Sequence, residues 1–426
     1  MECNEVNDMD LYAADNENMH LIARVHPEKR ESGICKRDPF QRDRDRIMHS
    51  RAFRRMMHKT QVVNANMGDH YRNRLTHTLE VSQIARSIGK ALHLNDELIE
   101  AIALGHDLGH TPFGHVGERT LDDILTGKID IEYDVKKVLA HGERFKHNFQ
   151  SVRVVESLED RCEEYSGLNL TFAVREGILK HTKTKIDGEK VVYYNSDYEQ
   201  YNLEAPSCTL EGQTVAIADE IAQCSHDLED GFRSGIITWK DIKNDALINH
   251  VQIYYSIETP KDTDMMTYIL RNSIIKHLVG YLINDVCESS VKNIKKEIQN
   301  GKINNGELEN LVINFSSKVH NLVENCTNTM NEYIINSEMI SVSDAKAEYF
   351  IKQLFKAYVH HPKQLPDYIL NRYQKQTGKK ITRAKMNEDE VRADPIFWRI
   401  VCDHISGMTD QFASREYKRL YMPDYV

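Results

Sequence analysis

Apolar residues recur three and four positions apart along most of this 426-residue chain, and this spacing limits its fold most strongly. Only nine prolines and twenty glycines interrupt the pattern, and no segment shows the sustained alternation of apolar and polar residues that strands need. The sequence therefore predicts a mainly α-helical fold. The run 185–194 is an exception, because Asp187-Gly188 stands beside β-prone residues and predicts a small β-hairpin or an excursion loop.

The charge and cysteine content narrow the class of protein. The net charge of −10 argues against a protein that coats nucleic acid, although residues 29–60 carry eleven basic and four acidic side chains. Such a segment either is a solvated helix face or forms salt bridges with acidic neighbours, or else it forms an anion site for phosphates or nucleic acid. No run approaches the ~18 apolar residues of a membrane helix, and the N-terminus has no signal-peptide pattern. The eight cysteines are scattered without a CxxC pair, so we expect a reduced, cytoplasmic chain whose metal ligands would be histidine and carboxylate.

Four polar residues on apolar helix faces form the candidate metal site. His77 precedes aliphatic residues at helical spacing, so we expect it on the inward face of its helix. His106 follows aliphatic residues at the same spacing and is adjacent to Asp107, while Asp219 interrupts an apolar helical run. Buried imidazoles and carboxylates need partners. Two of each suit a divalent cation that keeps open positions for water and substrate.

These residues and several further motifs resemble a known family. The order His…His-Asp…Asp is that of the HD-domain phosphohydrolases. The surrounding blocks are similar to those of deoxyguanosine triphosphate triphosphohydrolases and related deoxynucleotide triphosphohydrolases, and they follow in the family's order. The blocks are Arg51 to Arg55, Lys59 to Val62, Asn73 to Val81, His106 to Glu118, Phe145 to Ser151, Asp219 to Ala222, His226 to Asp230 and Asp403 to Asp410.

The resemblance implies a reaction and a role for each matching residue. The family cleaves a deoxynucleoside triphosphate at the α-phosphorus and releases the deoxynucleoside with intact triphosphate. Magnesium or manganese is implied as the ion, and iron is left open. The implied ligands are His77, His106, Asp107 and Asp219. The implied catalytic residues are His115 and Glu118, which lie three residues apart as a dyad, together with His110 and His147.

Substrate contacts are also implied by the resemblance, for Gln61, Arg74, Asn148, Gln223, Asp227 and Arg271. Arg74 precedes His77 by three residues and lies on the same side of its helix, where it meets either a phosphate oxygen or a neighbouring acid. Gln223 and Asp227 follow Asp219 at intervals of four and share its helix face. Some relatives carry tyrosine at the position of Gln223, where it can stack or bind phosphate. Glutamine cannot stack in that way, so this contact with the substrate differs from that of those relatives.

The resemblance further implies one HD-domain helical fold with additional C-terminal helices. We expect an N-terminal arm over residues 1–28, a phosphohydrolase core over 29–240, and a C-terminal helical region over 241–426 that completes the same globular unit. Expected partners are a deoxynucleoside triphosphate, a second copy of the chain, and a regulatory nucleotide or single-stranded DNA, with no membrane. Two alternatives stay open. One is another HD phosphohydrolase that acts on a nucleoside monophosphate, cyclic nucleotide or alarmone, and the other is a regulatory protein that binds nucleotide or single-stranded DNA without turnover.

Overall fold

The computed structural model describes residues 12–28, 36–61, 72–139, 143–186, 189–190, 198–257, 268–303 and 306–423. This part of the chain is mainly α-helical, which confirms the predicted fold class. The start of the predicted N-terminal arm and the first residues of the basic segment lie outside the described residues. The helices are α1 (Pro39–Met48), α2 (Arg51–Arg55), α3 (Arg74–Ala91), α4 (Asp96–Gly105), α5 (Gly114–Leu125), α6 (Val135–Val138), α7 (His147–Arg153), α8 (Phe172–Lys180), α9 (Leu210–Ser234), α10 (Trp239–Ile242), α11 (Ala246–Tyr255), α12 (Tyr268–Gln299), α13 (Ser317–Ile335), α14 (Glu338–His360), α15 (Asp367–Thr377), α16 (Glu388–Arg392), α17 (Pro395–Ser406) and α18 (Asp410–Tyr421).

A two-stranded hairpin interrupts the helices between α8 and α9. Strand β1 (Lys185–Ile186) pairs antiparallel with β2 (Glu189–Lys190), so that Lys185 is opposite Lys190 and Ile186 is opposite Glu189. The two residues between the strands, which the sequence predicts as the turn, lie outside the described residues. The pairing confirms the predicted hairpin, and it is the only sheet in the part of the chain that the structure describes.

Helix α9 lies at the centre of a first hydrophobic core. It begins where the Thr209 side chain accepts a hydrogen bond from the Gly212 backbone, and it ends at Gly235, whose φ of 74° closes the helix. Its apolar face, which includes Val215, packs against α3 and α8. Buried residues of α4, α11, α12 and α13 belong to the same core. The described N-terminal residues join this core through the fully buried Leu21.

A second core combines helices that lie far apart in the chain. Leu121 of α5 is buried with Phe355 of α14, Trp398 of α17 and Ile369 of α15. Helix α5 therefore leaves the first core and packs with the C-terminal helices, while α11, α12 and α13 pack with the first core. The boundaries predicted at residues 28 and 240 stay a prediction. The two hydrophobic cores divide the helices differently, because each core combines helices from both sides of residue 240.

Buried polar contacts join the two cores. Arg153 of α7 makes a two-pronged ion pair with Asp403 of α17, with N–O distances of 2.7 to 3.0 Å. Asp410, the first residue of α18, accepts hydrogen bonds from the backbone N–H groups of Thr60 at 2.8 Å and Phe113 at 2.9 Å, and from the Thr60 hydroxyl. Phe113 has a left-handed φ of 61°, which is costly for an aromatic residue. The Asp410 contact holds this backbone in place at the start of α5.

Three arginines in the described part of the basic segment form ion pairs. Arg42 and Arg46 each donate to Glu28 at 2.8 Å, and Arg44 donates to Glu97 at 2.6 Å. These arginines agree with the interpretation that the basic segment forms salt bridges, because each is paired with an acidic neighbour. None of the helices among the described residues combines the length and apolarity that are needed to cross a membrane.

Candidate active site and metal centre

The four residues predicted as metal ligands lie where α3, α4 and α9 meet. Helix α3 begins with a capping box between Asn73 and Thr76, which places His77 on its first turn. The His77 Nε2 atom lies 3.0 Å from Oδ1 of Asp219 on α9. His106 follows the last residue of α4, and its Nε2 atom lies 3.8 Å from the same carboxylate oxygen. Residues from three separate helices therefore point their ligand atoms at one position.

Asp107 completes this group. Its Oδ1 atom is 3.5 Å from His106 Nε2, and its Oδ2 atom is 3.8 Å from His77 Nε2. The His106 Nδ1 atom lies 2.7 Å from the Ala103 carbonyl oxygen, which only accepts hydrogen bonds, so the lone pair of a neutral ring is on Nε2. That nitrogen is buried and has no hydrogen-bond partner. A buried lone pair that faces two carboxylates fits a cation ligand, so these residues suit the divalent ion implied by the resemblance.

Three neighbouring side chains hold Asp107 in its charged form. Arg74 Nη1 donates to Asp107 Oδ2 at 2.7 Å, and His110 Nε2 lies 3.1 Å from Oδ1. Burial by itself would raise the pKa of Asp107, but the charges of His110, His106 and Arg74 hold that pKa well below its usual range. Arg74 therefore pairs with a neighbouring acid, which is one of the two contacts that its position in the sequence allowed. Its Nε and Nη2 atoms are buried without a partner.

A second histidine contacts the candidate ligand His77 through the ring nitrogen that does not face Asp219. His226 of α9 places its Nδ1 atom 3.2 Å from His77 Nδ1, and its Nε2 atom lies 2.5 Å from a carboxylate oxygen of Glu80. Arg72 in turn lies 3.0 Å from Glu80. Burial raises the pKa of Glu80, but His226 and Arg72 outweigh that effect and lower it to about 2. This chain of contacts fixes the orientation of the His77 ring.

The predicted dyad of His115 and Glu118 is present on α5, and His147 joins it. The His115 Nδ1 atom lies 3.3 Å from Glu118 Oε2, and the His147 Nδ1 atom lies 2.9 Å from the same oxygen. The His147 backbone N–H also donates to Glu118 Oε1 at 3.1 Å. Burial would raise the pKa of Glu118, but the charge of His147 and hydrogen bonds from both histidines hold it well below its usual range. One carboxylate therefore accepts hydrogen bonds from two imidazoles.

Further imidazoles connect the dyad to the metal ligands. The rings of His110 and His147 stack with centroids 3.9 Å apart. His181, which follows α8, lies with its Nε2 atom 3.3 Å from His147 Nε2, and its ring centroid is 5.0 Å from that of His106. Burial, with help from the charges of His106 and His147, lowers the pKa of His181 to about 3. The histidines therefore form one continuous cluster.

An open cavity of about 670 Å³ lies against this cluster. Its wall includes Asp219, His181 and the exposed side chain of Gln223, so it reaches the metal ligands directly. Lys183 and His320 also line it and add positive charge or hydrogen-bond donors. This volume is within the range of small-molecule sites. The arrangement can therefore admit an anionic ligand of nucleotide size next to the candidate metal centre.

Comparisons with known proteins match this architecture. The family model described as HD domain matches residues 74–223, and the one described as phosphohydrolase-associated domain matches residues 313–419. A deoxyguanosinetriphosphate triphosphohydrolase-like protein of Rickettsia typhi is 37% identical over 397 residues, which cover 91% of this chain and 93% of the relative. One of Geobacter metallireducens is 37% identical over 389 residues, which cover 91% and 89% of the two chains. This chain belongs to the deoxyguanosinetriphosphate triphosphohydrolase-like family.

Family membership and the cluster of imidazoles and carboxylates together support a metal-dependent phosphohydrolase. The second family model covers most of the C-terminal helices of the second core, so the contacts of Asp403 and Asp410 join the two matched regions. His320 of α13 also lies in the cavity wall of this phosphohydrolase.

The predicted substrate residues differ in how they relate to the cluster. The Asn148 side chain donates to the Leu179 carbonyl at 2.7 Å, and its oxygen has no partner. Gln61 likewise has a buried oxygen without a partner. Burial, assisted by the charge of Asp230, raises the pKa of Asp227 to about 7. Arg271 lies over the Tyr268 ring at 5.1 Å, and the described residues show no hydrogen bond or ion pair that joins it to the histidines. Its substrate contact stays a prediction.

Two histidines with contacts in the cluster were not singled out from the sequence. His181 lies within reach of both His147 and His106, and His226 contacts His77. His226 belongs to a block that resembles the family, which was an available signal. His181 had no comparable signal, since a single histidine near the end of an apolar helix is usually a satisfied core residue. Only the packing of α8 against α7 brings it to the site.

Proposed function

We propose that this protein hydrolyses deoxynucleoside triphosphates, dGTP among them, to the deoxynucleoside and inorganic triphosphate. The observation that carries the proposal is the Glu118 carboxylate shared by His115 and His147, in a cluster continuous with the four candidate metal ligands. Hydrolysis of a phosphoester needs an activated water and a proton for the leaving oxygen. The candidate metal ligands would activate the water, and the His115–Glu118 dyad would supply the proton.

We assign His77, His106, Asp107 and Asp219 as ligands of a magnesium or manganese ion. When bound, this ion supplies Lewis-acid activation of the attacking water and neutralises phosphate charge. Arg74 holds Asp107 in its charged form through the contact at 2.7 Å. The hydrogen bond from His106 Nδ1 to a backbone carbonyl keeps the Nε2 lone pair directed at the ligand position.

We assign His115 as the proton donor to the leaving 5′ oxygen of the deoxynucleoside. Its Nδ1 atom faces the Glu118 carboxylate, and about half of its side chain is exposed, so Nε2 is free to reach a substrate. The carboxylate stabilises the protonated imidazole before the transfer and keeps the ring oriented after it. We assign His147, which also meets Glu118, and His110, whose ring stacks on that of His147, to the part of the site that contacts the phosphate chain.

The cavity beside Asp219 is the proposed position of the nucleotide. Lys183, His320 and Gln223 line it, and the first two suit an anionic triphosphate. We assign Asn148, Asp227 and Gln61 to contacts with the deoxyribose and base, since each has a buried oxygen without a hydrogen-bond partner that a substrate hydroxyl or amine would satisfy. The base preference depends on the shape of this pocket.

Several wider properties belong to the same proposal. We propose a cytoplasmic enzyme, in keeping with the absence of any disulfide among the six described cysteines. We also propose a homo-oligomer that responds to a regulatory nucleotide or single-stranded DNA, an expectation that rests on the family resemblance. Residues 241–426 are proposed to complete the same globular unit as the phosphohydrolase core, which the buried contacts of Asp403 and Asp410 support.

The test is a product assay with each of the four deoxynucleoside triphosphates and either magnesium or manganese. We expect equal amounts of deoxynucleoside and inorganic triphosphate, separated by ion-exchange chromatography. His115→Ala should lose most of the turnover, whereas His361→Ala, which removes an exposed histidine outside the site, should retain it. Release of pyrophosphate or single phosphates would contradict the proposal, and so would absence of turnover with every substrate, metal and added second nucleotide.

A further inference from the structure

A second cavity, of about 390 Å³, lies against the backbone of the segment that carries Asp107 and His110. Leu108 and Gly109 line this cavity, whereas the side chains of Asp107 and His110 belong to the catalytic cluster. None of its lining residues also lines the cavity beside Asp219. The two cavities are therefore separate, and the proposed reaction gives no part to the second one.

Arginine side chains gather around this second cavity, which is lined by Arg51, Arg55, Arg372 and Arg415. Burial lowers the pKa of Arg55 below its usual value, and repulsion from the charges of Arg51 and Arg372 adds to this effect. Like charges that lie close together repel one another unless an anion lies between them. The cavity therefore has the electrostatic character of an anion site.

The carboxylates of the same wall leave these arginines incompletely neutralised. Asp403 pairs with an arginine of α7 at 2.7 Å. Glu159 accepts two backbone N–H groups at the start of α2 and approaches Arg55 only to 3.8 Å. Asp160 is exposed and lies 3.5 Å from Arg372. The side chains of the other two arginines have no acidic partner in the part of the chain that the structure describes.

A buried histidine adds an unused hydrogen-bonding group to the wall of this cavity. His404 is only 6% exposed, and its Nε2 atom is buried without a hydrogen-bond partner. Burial lowers the pKa of His404 to about 4, and the charges of nearby arginines act in the same direction, so the ring is neutral near pH 7. A neutral imidazole can carry its hydrogen on Nε2 and donate it to an oxyanion. The Arg55 Nε atom is also buried without a partner, so an anion with several oxygens would satisfy both groups.

We propose that this cavity binds inorganic triphosphate through its four arginines and His404. A planar guanidinium group can donate to two phosphate oxygens at once, which makes arginine well suited to phosphate recognition. Several arginines around one cavity suit a chain of phosphate groups better than a single one. The volume is within the range of small-molecule sites. The choice of triphosphate rests on the proposed function, which releases this anion, whereas the anion site itself rests on the arginines.

The test is to measure binding of inorganic triphosphate to the full-length chain by isothermal titration calorimetry, without added metal. The double variant Arg51→Gln/Arg415→Gln removes two exposed guanidinium groups from the cavity wall. We expect it to bind triphosphate about 100-fold more weakly, because each charge-assisted contact contributes about tenfold. The control Arg54→Gln/Lys418→Gln removes two exposed positive charges from the same helices, α2 and α18, outside the cavity wall. It should bind triphosphate like the unaltered protein.

Each other result would overturn the proposal. Absence of triphosphate binding to the unaltered protein would remove the site. Equal affinity of the two double variants would place the bound triphosphate elsewhere, as in the catalytic cavity. Binding of ATP at least tenfold tighter than binding of triphosphate, through the same arginines, would show that the ligand is a nucleotide. Turnover is not measured, so a chain that binds triphosphate here but hydrolyses no deoxynucleoside triphosphate would refute only the proposed function.

Discussion

Replacing Glu118 by glutamine is the sharpest perturbation of the proposed chemistry. The carboxylate meets the Nδ1 atoms of His115 at 3.3 Å and His147 at 2.9 Å, and it also accepts from the His147 backbone. Glutamine keeps the shape, but it has no charge and one of its two terminal atoms donates. Whichever way the amide is oriented, neither imidazole keeps a charged acceptor, and the amide NH2 faces either both Nδ1 atoms or the His147 backbone N–H.

The magnitude follows from the kind of bond that is lost. A hydrogen bond to a charged group contributes about 1.5 to 3 kcal/mol, and about 1.4 kcal/mol corresponds to a factor of ten. Loss of stabilisation of one imidazolium should therefore lower kcat by about 10- to 150-fold, and by about 10³-fold or more if both imidazoles are misaligned. The same energy should move the alkaline limb of the pH–rate profile to lower pH by about one to two units.

The assay measures kcat and KM for Glu118→Gln across pH 5 to 9, with Mn²⁺ binding measured in parallel. We expect a large loss of kcat, little change of KM and at least one tightly bound ion. Glu164→Gln, the same substitution at an exposed position, should behave like the unaltered protein. A variant with normal kcat and an unshifted profile would refute the role of Glu118, and a variant that fails only because it loses metal would assign Glu118 to the metal site instead.

Three further changes have defined outcomes. Burial raises the pKa of Asp227 to about 7, so the folded protein binds a proton at this carboxyl more tightly than the unfolded chain does. The unfolding free energy should therefore fall as the pH rises from about 4 to 7. Asp227→Asn should remove this pH dependence and be more stable than the unaltered protein by up to about 4 kcal/mol at pH 8, measured by denaturant titration. Asp410→Ala strands the buried donors of Thr60 and Phe113 and should lower the unfolding free energy by about 3 kcal/mol, whereas a loss below about 1 kcal/mol would show that these contacts do not join the cores. His226→Ala should weaken Mn²⁺ binding by about 10- to 100-fold in equilibrium dialysis, and unchanged affinity would exclude a supporting role.

The inward position of the candidate metal ligands could be predicted because burial limits where charged residues are tolerated. His77, His106 and Asp219 interrupt apolar helix faces, and the helical period alone shows that they point inward. The mainly helical fold and the hairpin followed from the same kind of local pattern. A rule that links spacing to burial can be applied to a sequence before any contact is known.

The rest of the arrangement depends on contacts that no local pattern reveals. Helix α5 has an ordinary apolar stripe, and nothing in it indicates that it packs with α14 rather than with its neighbours in the chain. The sharing of Glu118 by His115 and His147 needs α5 and α7 side by side, and the approach of His181 needs α8 beside them. The positive charge near residues 42–46 gave no functional information, since tertiary ion pairs satisfy it.

The central claim is that water attacks the α-phosphorus of a deoxynucleoside triphosphate. It is tested most directly by hydrolysis in water enriched with ¹⁸O, followed by mass spectrometry of both products. Attack at the α-phosphorus predicts one ¹⁸O atom in the inorganic triphosphate and none in the deoxynucleoside. Label in the deoxynucleoside, or label found in pyrophosphate or single phosphate, would contradict it.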